Sequence, residues 1–327
     1  MRQFHAAIAL AAGLALAAGA ARAEGPRKIT DILPEAGALP RVTMERLLLI
    51  DAARPGGRVV AVGDRGYIVV SDDEGRTWRR AKSPPAPLLT AVEFLDAKHG
   101  WAVGHDSVVL ATADGGETWA QQFSAPAEQR PLLDVLFVDK DTGYAIGAYS
   151  AFYETADGGR SWNPRKVISE DRHLNAFVRL PEGRLLILGE AGTILASPDQ
   201  GRTWESVTSP YRGSLFGGVV ADDGAVVVFG LRGHIYRSTD AGKSWKAVDN
   251  ASTATLMGGT KFPDGALVLA GNGGTVLVSR DNGQSFVPLA TGSTKAFAKA
   301  VLGPAGAAIL IGETGARQAA LPLAKQR

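Results

Sequence analysis

Six aspartates of this 327-residue chain recur inside one short pattern, which makes them the first candidates for chemistry. The pattern is Ser/Thr-x-Asp-x-Gly-x-Ser/Thr-aromatic. An acidic run such as Asp72-Asp73-Glu74-Gly75 suggests calcium, but the spacing and the distal bidentate glutamate of a calcium loop are missing. In a tight turn, an aspartate instead accepts N–H bonds from its own turn, and glycine supplies the positive φ. We therefore interpret these residues as structural and expect no metal and no cofactor. The aspartates are Asp73, Asp114, Asp157, Asp199, Asp240 and Asp281.

The aromatic residues that end the pattern recur every 41 to 43 residues. A period of about 40–45 residues is typical of a four-stranded propeller blade. Each copy follows a short apolar strand that ends in glycine, and this second element occurs a seventh time at Leu310-Ile311-Gly312. The sequence therefore predicts an all-β fold, a seven-bladed β-propeller with four-stranded blades and the aspartate turn in blades one to six. The aromatic residues are Trp78, Trp119, Trp162, Trp204, Trp245 and Phe286.

The pattern resembles the Asp-box, or BNR, repeat of sialidases and related propellers. Together with the glycine-ended strands, which span nearly all of the chain after its leader, it is similar to the photosystem II stability/assembly factor family. This resemblance implies a non-enzymatic propeller that binds and helps to assemble or stabilise a membrane protein complex. It also implies an arginine-bearing binding surface. We call the six aspartate turns Asp boxes.

The first 23 residues are typical of a secretory signal peptide. Arg2 precedes an apolar run over residues 6–21, and Ala21-Arg22-Ala23 is a small-x-small cleavage site. We therefore expect residues 1–23 to be removed and the protein to be periplasmic or otherwise extracytoplasmic.

The residues that follow the leader divide into three parts. The seventh repeat has neither an Asp box nor a fourth strand, and a propeller protects its strand edges by closing its ring. We expect residues 24–40 to supply the missing outer strand of blade seven. The propeller itself then covers residues 41–322, and residues 323–327 form a tail.

The net charge and the composition restrict which kinds of partner and which chemistry we expect. The chain has 35 basic and 33 acidic residues, and removal of Arg2 and Arg22 leaves 33 of each. A neutral protein has no bulk field that favours nucleic acid. There is no cysteine, which excludes thiol chemistry and disulfides. We expect a monomer that binds an envelope or membrane protein complex, without nucleic acid or a small-molecule cofactor.

The order of the strands predicts which face is available for binding. The Asp boxes join strands three and four and share one face with the turns between strands one and two. The loops between strands two and three share the other face with the links between blades. Loops on a rigid scaffold often bind partners, and arginine and tyrosine are frequent at binding hot spots. Our candidates for partner binding on this second face are Arg65, Tyr149, Tyr211, Arg212 and Arg232.

A sialidase-like glycoside hydrolase is the alternative. Such enzymes use three arginines, a tyrosine paired with a glutamate, and an aspartate as acid/base. They also carry an Arg-Ile-Pro motif near the start, where this chain has Leu39-Pro40-Arg41-Val42. No spacing requires the candidate groups to converge, and we predict that the protein is not an enzyme. Those groups are Arg65, Arg212 and Arg232 as the arginines, with Tyr149 or Tyr211 beside Glu190.

Overall fold

The computed structural model describes residues 43–322, which form seven antiparallel sheets in chain order. The predicted all-β, seven-bladed propeller is confirmed. Blades one to six have four strands each, and blade seven has three within the described residues. The predicted signal peptide, the predicted closing segment (residues 24–40) and the tail lie outside the described residues.

The strands are short and regular. Blade one contains β1 (Leu49–Ala53), β2 (Val59–Gly63), β3 (Ile68–Ser71) and β4 (Arg79–Arg80), and blade two contains β5 (Leu89–Phe94), β6 (Gly100–Gly104), β7 (Val109–Thr112) and β8 (Ala120–Phe123). Blade three contains β9 (Leu132–Phe137), β10 (Gly143–Gly147), β11 (Phe152–Thr155) and β12 (Asn163–Pro164), and blade four contains β13 (Leu174–Arg179), β14 (Leu185–Gly189), β15 (Ile194–Ser197) and β16 (Glu205–Ser206). Blade five contains β17 (Leu215–Val220), β18 (Val226–Gly230), β19 (Ile235–Ser238) and β20 (Lys246–Ala247), and blade six contains β21 (Leu256–Lys261), β22 (Leu267–Gly271), β23 (Val276–Ser279) and β24 (Val287–Pro288). Blade seven contains β25 (Phe297–Leu302), β26 (Ala308–Gly312) and β27 (Gly315–Ala319). Short 3-10 turns cover Met44–Arg46, Asp64–Gly66, His105–Ser107, Pro126–Glu128, Pro181–Gly183, Glu190–Gly192, Leu231–Gly233, Asn272–Gly274 and Pro304–Gly306.

The second strand of every blade is buried along its whole length. Both of its faces pack against neighbouring blades, which explains its unbroken apolar sequence. Each of these strands ends in a glycine because the first strand passes too close for a side chain. At Gly63, a Cβ would lie 2.1 Å from the carbonyl oxygen of Leu48.

The Asp boxes form one repeated hydrogen-bond network. In the sixth box, Asp281 accepts the N–H of Ser285 at 3.0 Å and its hydroxyl at 2.6 Å. The Ser279 hydroxyl donates to Asp281 at 2.7 Å and accepts the N–H of Gly283 at 2.9 Å. The other five boxes make the same bonds. The aspartate therefore satisfies donors of its own turn.

Seven apolar clusters fill the seven interfaces between blades. In six of them, the aromatic residue of an Asp box packs between its own blade and the preceding one. Trp78 of blade one, for example, joins Ile309 and Ile311 of blade seven. Arg54 also donates to the carbonyl of Leu302 at 2.5 Å. Blades one and seven therefore pack directly against each other, and this contact closes the ring within the described residues.

Two strands of blade one differ from the boundaries that the sequence predicts. The repeat pattern predicts the inner strand of this blade over residues 45–53, but β1 starts at Leu49 because Met44–Arg46 forms a 3-10 turn beside β27. There, a Cβ on Gly315 would lie 2.0 Å from the carbonyl oxygen of Met44. The same pattern predicts the outer strand over residues 77–81, but β4 pairs only at Arg79 and Arg80, because Thr77 and Trp78 belong to the box network.

Three carboxylates on the inner strands, those of Asp51, Glu93 and Asp134, each accept a backbone N–H of the next blade. Burial raises the pKa of Glu93 and of Asp134 to about 7. In the boxes the opposite shift occurs: the hydroxyl of Thr77, followed by its backbone N–H, holds the pKa of Asp73 at about 2. The caps join Asp51 to the N–H of Val92 at 3.0 Å, Glu93 to that of Phe137 at 2.8 Å, and Asp134 to that of Phe177 at 2.7 Å.

The box network predicts a stability loss for Asp281→Ala. The substitution removes an acceptor from the Ser285 N–H and from two hydroxyls, which we expect to cost about 1–3 kcal/mol. The measurement is urea unfolding of the mature protein, with the exposed Asp249→Ala as the matched control. Equal unfolding free energies for the two variants would show that the box aspartate does not stabilise its turn.

The pKa shifts predict how stability depends on pH. Glu93 and Asp134 bind protons more tightly in the folded chain, so stability rises as the pH falls from about 7 toward their unfolded pKa values near about 4. The box aspartates bind protons less tightly when folded, so stability is lost as the pH falls from about 3.8 toward about 2. We therefore expect the highest Tm between about pH 4 and 5.

Thermal unfolding between pH 3 and 8, at steps of about half a unit, measures this profile. Glu93→Gln removes one titrating group, so it should flatten the part of the profile above pH 5. A parent Tm that falls steadily from pH 8 to pH 5 would contradict the assignment.

Candidate protein-binding face

The propeller has two unlike faces. One carries the Asp boxes and is nearly uniform around the ring. The other, which we call the loop face, carries the loops between strands two and three and the links between blades. All five candidate residues of the sequence lie on the loop face.

Three of the candidates occupy one equivalent position on different blades. This position is the middle residue of the loop after the second strand, and its backbone is left-handed in six blades. The left-handed conformation costs an L-residue about 1–2 kcal/mol, and glycine avoids this cost. Blade six has glycine here, but blades one, three and five carry long side chains. The residues are Arg65 (φ 53°), Asp106 (57°), Tyr149 (55°), Ala191 (53°), Arg232 (59°) and Gly273 (63°).

The two arginines at this position project into solvent. The Arg65 side chain is 80% exposed and contacts only the neighbouring Asp64 carboxylate, at 3.3 Å, among the described ion pairs. Arg232 is also exposed, and within residues 43–322 no acidic side chain lies within ion-pair distance of it. Both guanidinium groups are therefore available to a partner.

Tyr149 lies at the edge of a groove on blade three. Its side chain is 53% exposed, and its ring contacts the His173 ring edge to face at 5.2 Å. The groove has a volume of about 410 Å³, and its lining is partly cationic, partly acidic and partly apolar. The lining includes Arg130, Arg165, Lys166, Glu170, Asp171 and Ile168. Aromatic, aliphatic and oppositely charged groups thus meet at one concave site.

Tyr211 is held by the fold, whereas Arg212 is exposed. The Tyr211 ring packs at 4.3 Å from the ring of His234, and its hydroxyl reaches the carbonyl of Leu231 at 3.4 Å. It also covers the apolar interface between blades four and five. Because Leu231 directly precedes Arg232, this contact places the link beside that arginine.

The structure distributes the candidates among several blades. Tyr211, Arg212 and Arg232 lie at blade five, Tyr149 on blade three and Arg65 on blade one. None of the three arginines lines the central channel, where the described lining is aliphatic, aromatic and partly charged. Glu190 accepts the N–H of His173 at 3.2 Å. The groups proposed for a sialidase-like site are therefore not assembled at the channel.

The residues predicted from the sequence do not include a charged group on the inner strands. Asp51, Asp134 and Lys299 line a cavity of about 450 Å³ at the loop-face end of the channel. A signal was present, because each interrupts an otherwise apolar first strand of its repeat. Aligning the seven first strands residue by residue would have revealed them.

Residues 43–322 contain neither a cluster of metal-ligating side chains nor a helix that could span a membrane. No group of three or more His, Asp or Glu side chains there is arranged to hold a metal ion. Within the same range, no helix has the length and the apolar character that a membrane span requires.

The sequence has relatives among proteins of photosystem II assembly. Residues 121–269, just under half of the chain, match the family described as photosynthesis system II assembly factor YCF48. The chloroplastic photosystem II stability/assembly factor HCF136 of Cyanidioschyzon merolae is 32% identical over 83 residues, which cover 24% of this chain and 19% of that protein. The matched segment thus spans about a fifth of that relative.

Solved structures share the fold. A structure of YCF48 bound to a D1 peptide has a TM-score of 0.65 at 21% identity, covering 85% of this chain and 93% of that one. A GH74 xyloglucanase from Xanthomonas campestris has a TM-score of 0.64 at 14% identity, covering 86% of this chain and 52% of the enzyme. At these identities, both show the architecture alone. With the family match, the repeats and the seven blades, the chain is a β-propeller similar to the photosystem II stability/assembly factors.

Proposed function

We propose that this protein is an exported, non-enzymatic propeller whose loop face binds a segment of a membrane or envelope protein. In this role, it would help to assemble or stabilise the complex to which that protein belongs. The contact residues are Arg65, Tyr149 and Arg232 on the loops, with Arg212 on the link beside Arg232.

One observation carries the proposal. Arg65, Tyr149 and Arg232 are long, exposed side chains at positions where a left-handed backbone favours glycine. Such strain persists where the surrounding structure enforces it, and it concentrates at functional sites. Arginine and tyrosine are also residue types enriched at binding hot spots. A protein partner that meets several of these loops at once explains their presence better than folding does.

The relatives support the same class of function. A solved structure has YCF48 bound to a D1 peptide, and the HCF136 relative is a stability/assembly factor. For this chain, we infer an analogous interaction with a polypeptide segment. The groove beside Tyr149 is open and concave, and its lining of cationic, acidic and apolar residues suits an extended chain with charged and apolar side chains.

Replacing the three loop residues with glycine should separate binding from folding. In the triple variant Arg65→Gly, Tyr149→Gly, Arg232→Gly, glycine relieves the left-handed strain but adds entropy to the unfolded chain. We therefore expect each change to alter stability by no more than about 1 kcal/mol. Recovery of the partner from detergent-solubilised native envelope should weaken about tenfold or more, which corresponds to about 1.4 kcal/mol.

Ala191→Gly is the matched control, because it makes the same backbone change on blade four without removing a long side chain. It should change the Tm about as much as each of the three glycine substitutions does when made singly, and it should leave partner recovery unchanged. Tyr211 is left intact, since its ring packs against the interface of blades four and five. If the triple variant recovers its partner as well as the parent does, the loop face is not the binding site.

Export is a separate part of the proposal. The full chain with a C-terminal tag, expressed in a Gram-negative host, should accumulate in the periplasm with Glu24 as its first residue. Charged residues at the small positions of a cleavage site block processing. The double change Ala21→Glu, Ala23→Glu should therefore leave an unprocessed, membrane-associated precursor. A full-length parent in the cytoplasm, as judged by fractionation and intact mass, would refute export.

A further inference from the structure

The loop-face end of the central channel forms a cavity that the proposed partner contacts do not use. Its volume is about 450 Å³, and all seven inner strands contribute to its wall. This size is within the range of pockets that bind small ligands.

The rim of the cavity is mostly apolar. The strand register shifts at the second residue of every inner strand, which places an equivalent residue of each blade at the rim. Met257 is the most open of these and is 39% exposed. The seven rim residues are Ile50, Thr90, Leu133, Asn175, Phe216, Met257 and Ala298.

Directly below the rim, the charge lies on one side of the cavity. The next residue of each inner strand is charged on blades seven, one and three, where it is Lys299, Asp51 and Asp134. The equivalent residue on blade two, between the two aspartates, is Ala91, and those on blades four, five and six are Ala176, Gly217 and Gly258. The charged wall therefore faces a side that carries small residues or no side chain, which leaves room for a ligand.

The charged wall lacks one positive charge. The Lys299 ammonium lies 3.4 Å from Asp51, and the two side chains remain 30% and 16% exposed. Asp134 accepts the backbone N–H groups of Val135 and Phe177, which bring no net charge. Two carboxylates thus face one ammonium. Burial, reinforced by the charge of Asp51, raises the pKa of Asp134 to about 7, as expected for a carboxylate without a full counter-charge.

We propose that this cavity binds a ligand that carries one ammonium group on an apolar stem. The ammonium lies beside Asp134 and Asp51, and the stem contacts the rim at Leu133, Phe216 and Met257. A free alkylamine and a lysine side chain of a bound polypeptide share this chemistry. Binding of a free amine in this cavity does not require the loop-face partner, so this proposal is tested separately from the proposed function.

Hexylammonium is the direct probe, with hexanoate and hexanol as ligands of the same stem and different charge. Calorimetric titration at pH 8, above the pKa of Asp134, keeps that carboxylate ionised. We expect saturable binding of one hexylammonium per chain. Hexanol and hexanoate should bind about tenfold more weakly or not at all.

Met257→Lys provides the sharpest variant, because it attaches the same stem and ammonium to the rim itself. It should abolish hexylammonium binding and raise the Tm, whereas the matched control Met257→Gln should retain binding. Asp134→Asn should weaken binding about tenfold or more. Both oxygens of Asp134 accept backbone N–H groups, so Asp134→Asn could fail to fold. In that case, the two Met257 variants test the proposal by themselves.

Two further probes distinguish the sources of the ligand. A capped pentapeptide with a central lysine between glycines represents a protein side chain, and the same peptide with norleucine is its control. Tighter binding of the lysine peptide than of hexylammonium assigns the site to a protein side chain, and the reverse order assigns it to a free amine. The proposal is overturned if neither cation binds, if hexanoate binds as well as hexylammonium, or if Met257→Lys binds hexylammonium like the parent.

Discussion

The close packing of each Asp box against the preceding blade determines most of this structure. In four of the six boxes, a Cβ added to the box glycine would lie within 3.0 Å of a side chain of the neighbouring second strand. A Cβ on Gly75 would lie 2.8 Å from Ile309 of blade seven, and one on Gly283 would lie 2.4 Å from Val227 of blade five. The aromatic residue beside it fills the rest of the interface. An aromatic side chain of similar size thus fills six of the seven interfaces, which explains why the six boxes vary so little.

This constraint separates the chemistry of the two faces. On the box face, the polar side chains of the boxes form hydrogen bonds within their own turns. The hydroxyl and N–H donors of those turns keep the aspartates ionised. The exposed side chains of the loops on the opposite face have no such structural role, because they follow the last buried residue of each second strand. Arg65 and Arg232 follow fully buried strands, yet both are exposed. Variation around the ring is therefore possible on the loop face at little cost to the core.

The period of the repeat was enough to predict the number of blades, and the turn chemistry was enough to predict the role of the box aspartates. Those features are local or strictly repeated, so they can be deduced from neighbouring residues. The start of β1 was not predictable in this way, because the turn at Met44–Arg46 depends on contact with β27 at the other end of the chain. The packing of Tyr211 depends likewise on His234, which lies further along the chain, just before β19. The sequence indicated loop-face residues by type, but only the fold shows that Arg65, Tyr149 and Arg232 occupy one equivalent position.

The inner strands show where a repeat protein can depart from its own symmetry. Asp51, Glu93 and Asp134 each cap an N–H of the next blade, so the first three interfaces are joined by carboxylates near the channel. The next interface is joined by an uncharged amide, where Asn175 donates to the carbonyl of Leu215 at 2.9 Å. On blades five and six, Gly217 and Gly259 instead leave space for the ring of Phe229, where a Cβ would lie 2.7 and 2.8 Å from it. Both solutions are compatible with a closed ring, but they differ in charge. Ring closure therefore does not require a channel that is charged on one side and uncharged on the other. The asymmetry of charge needs an explanation other than closure.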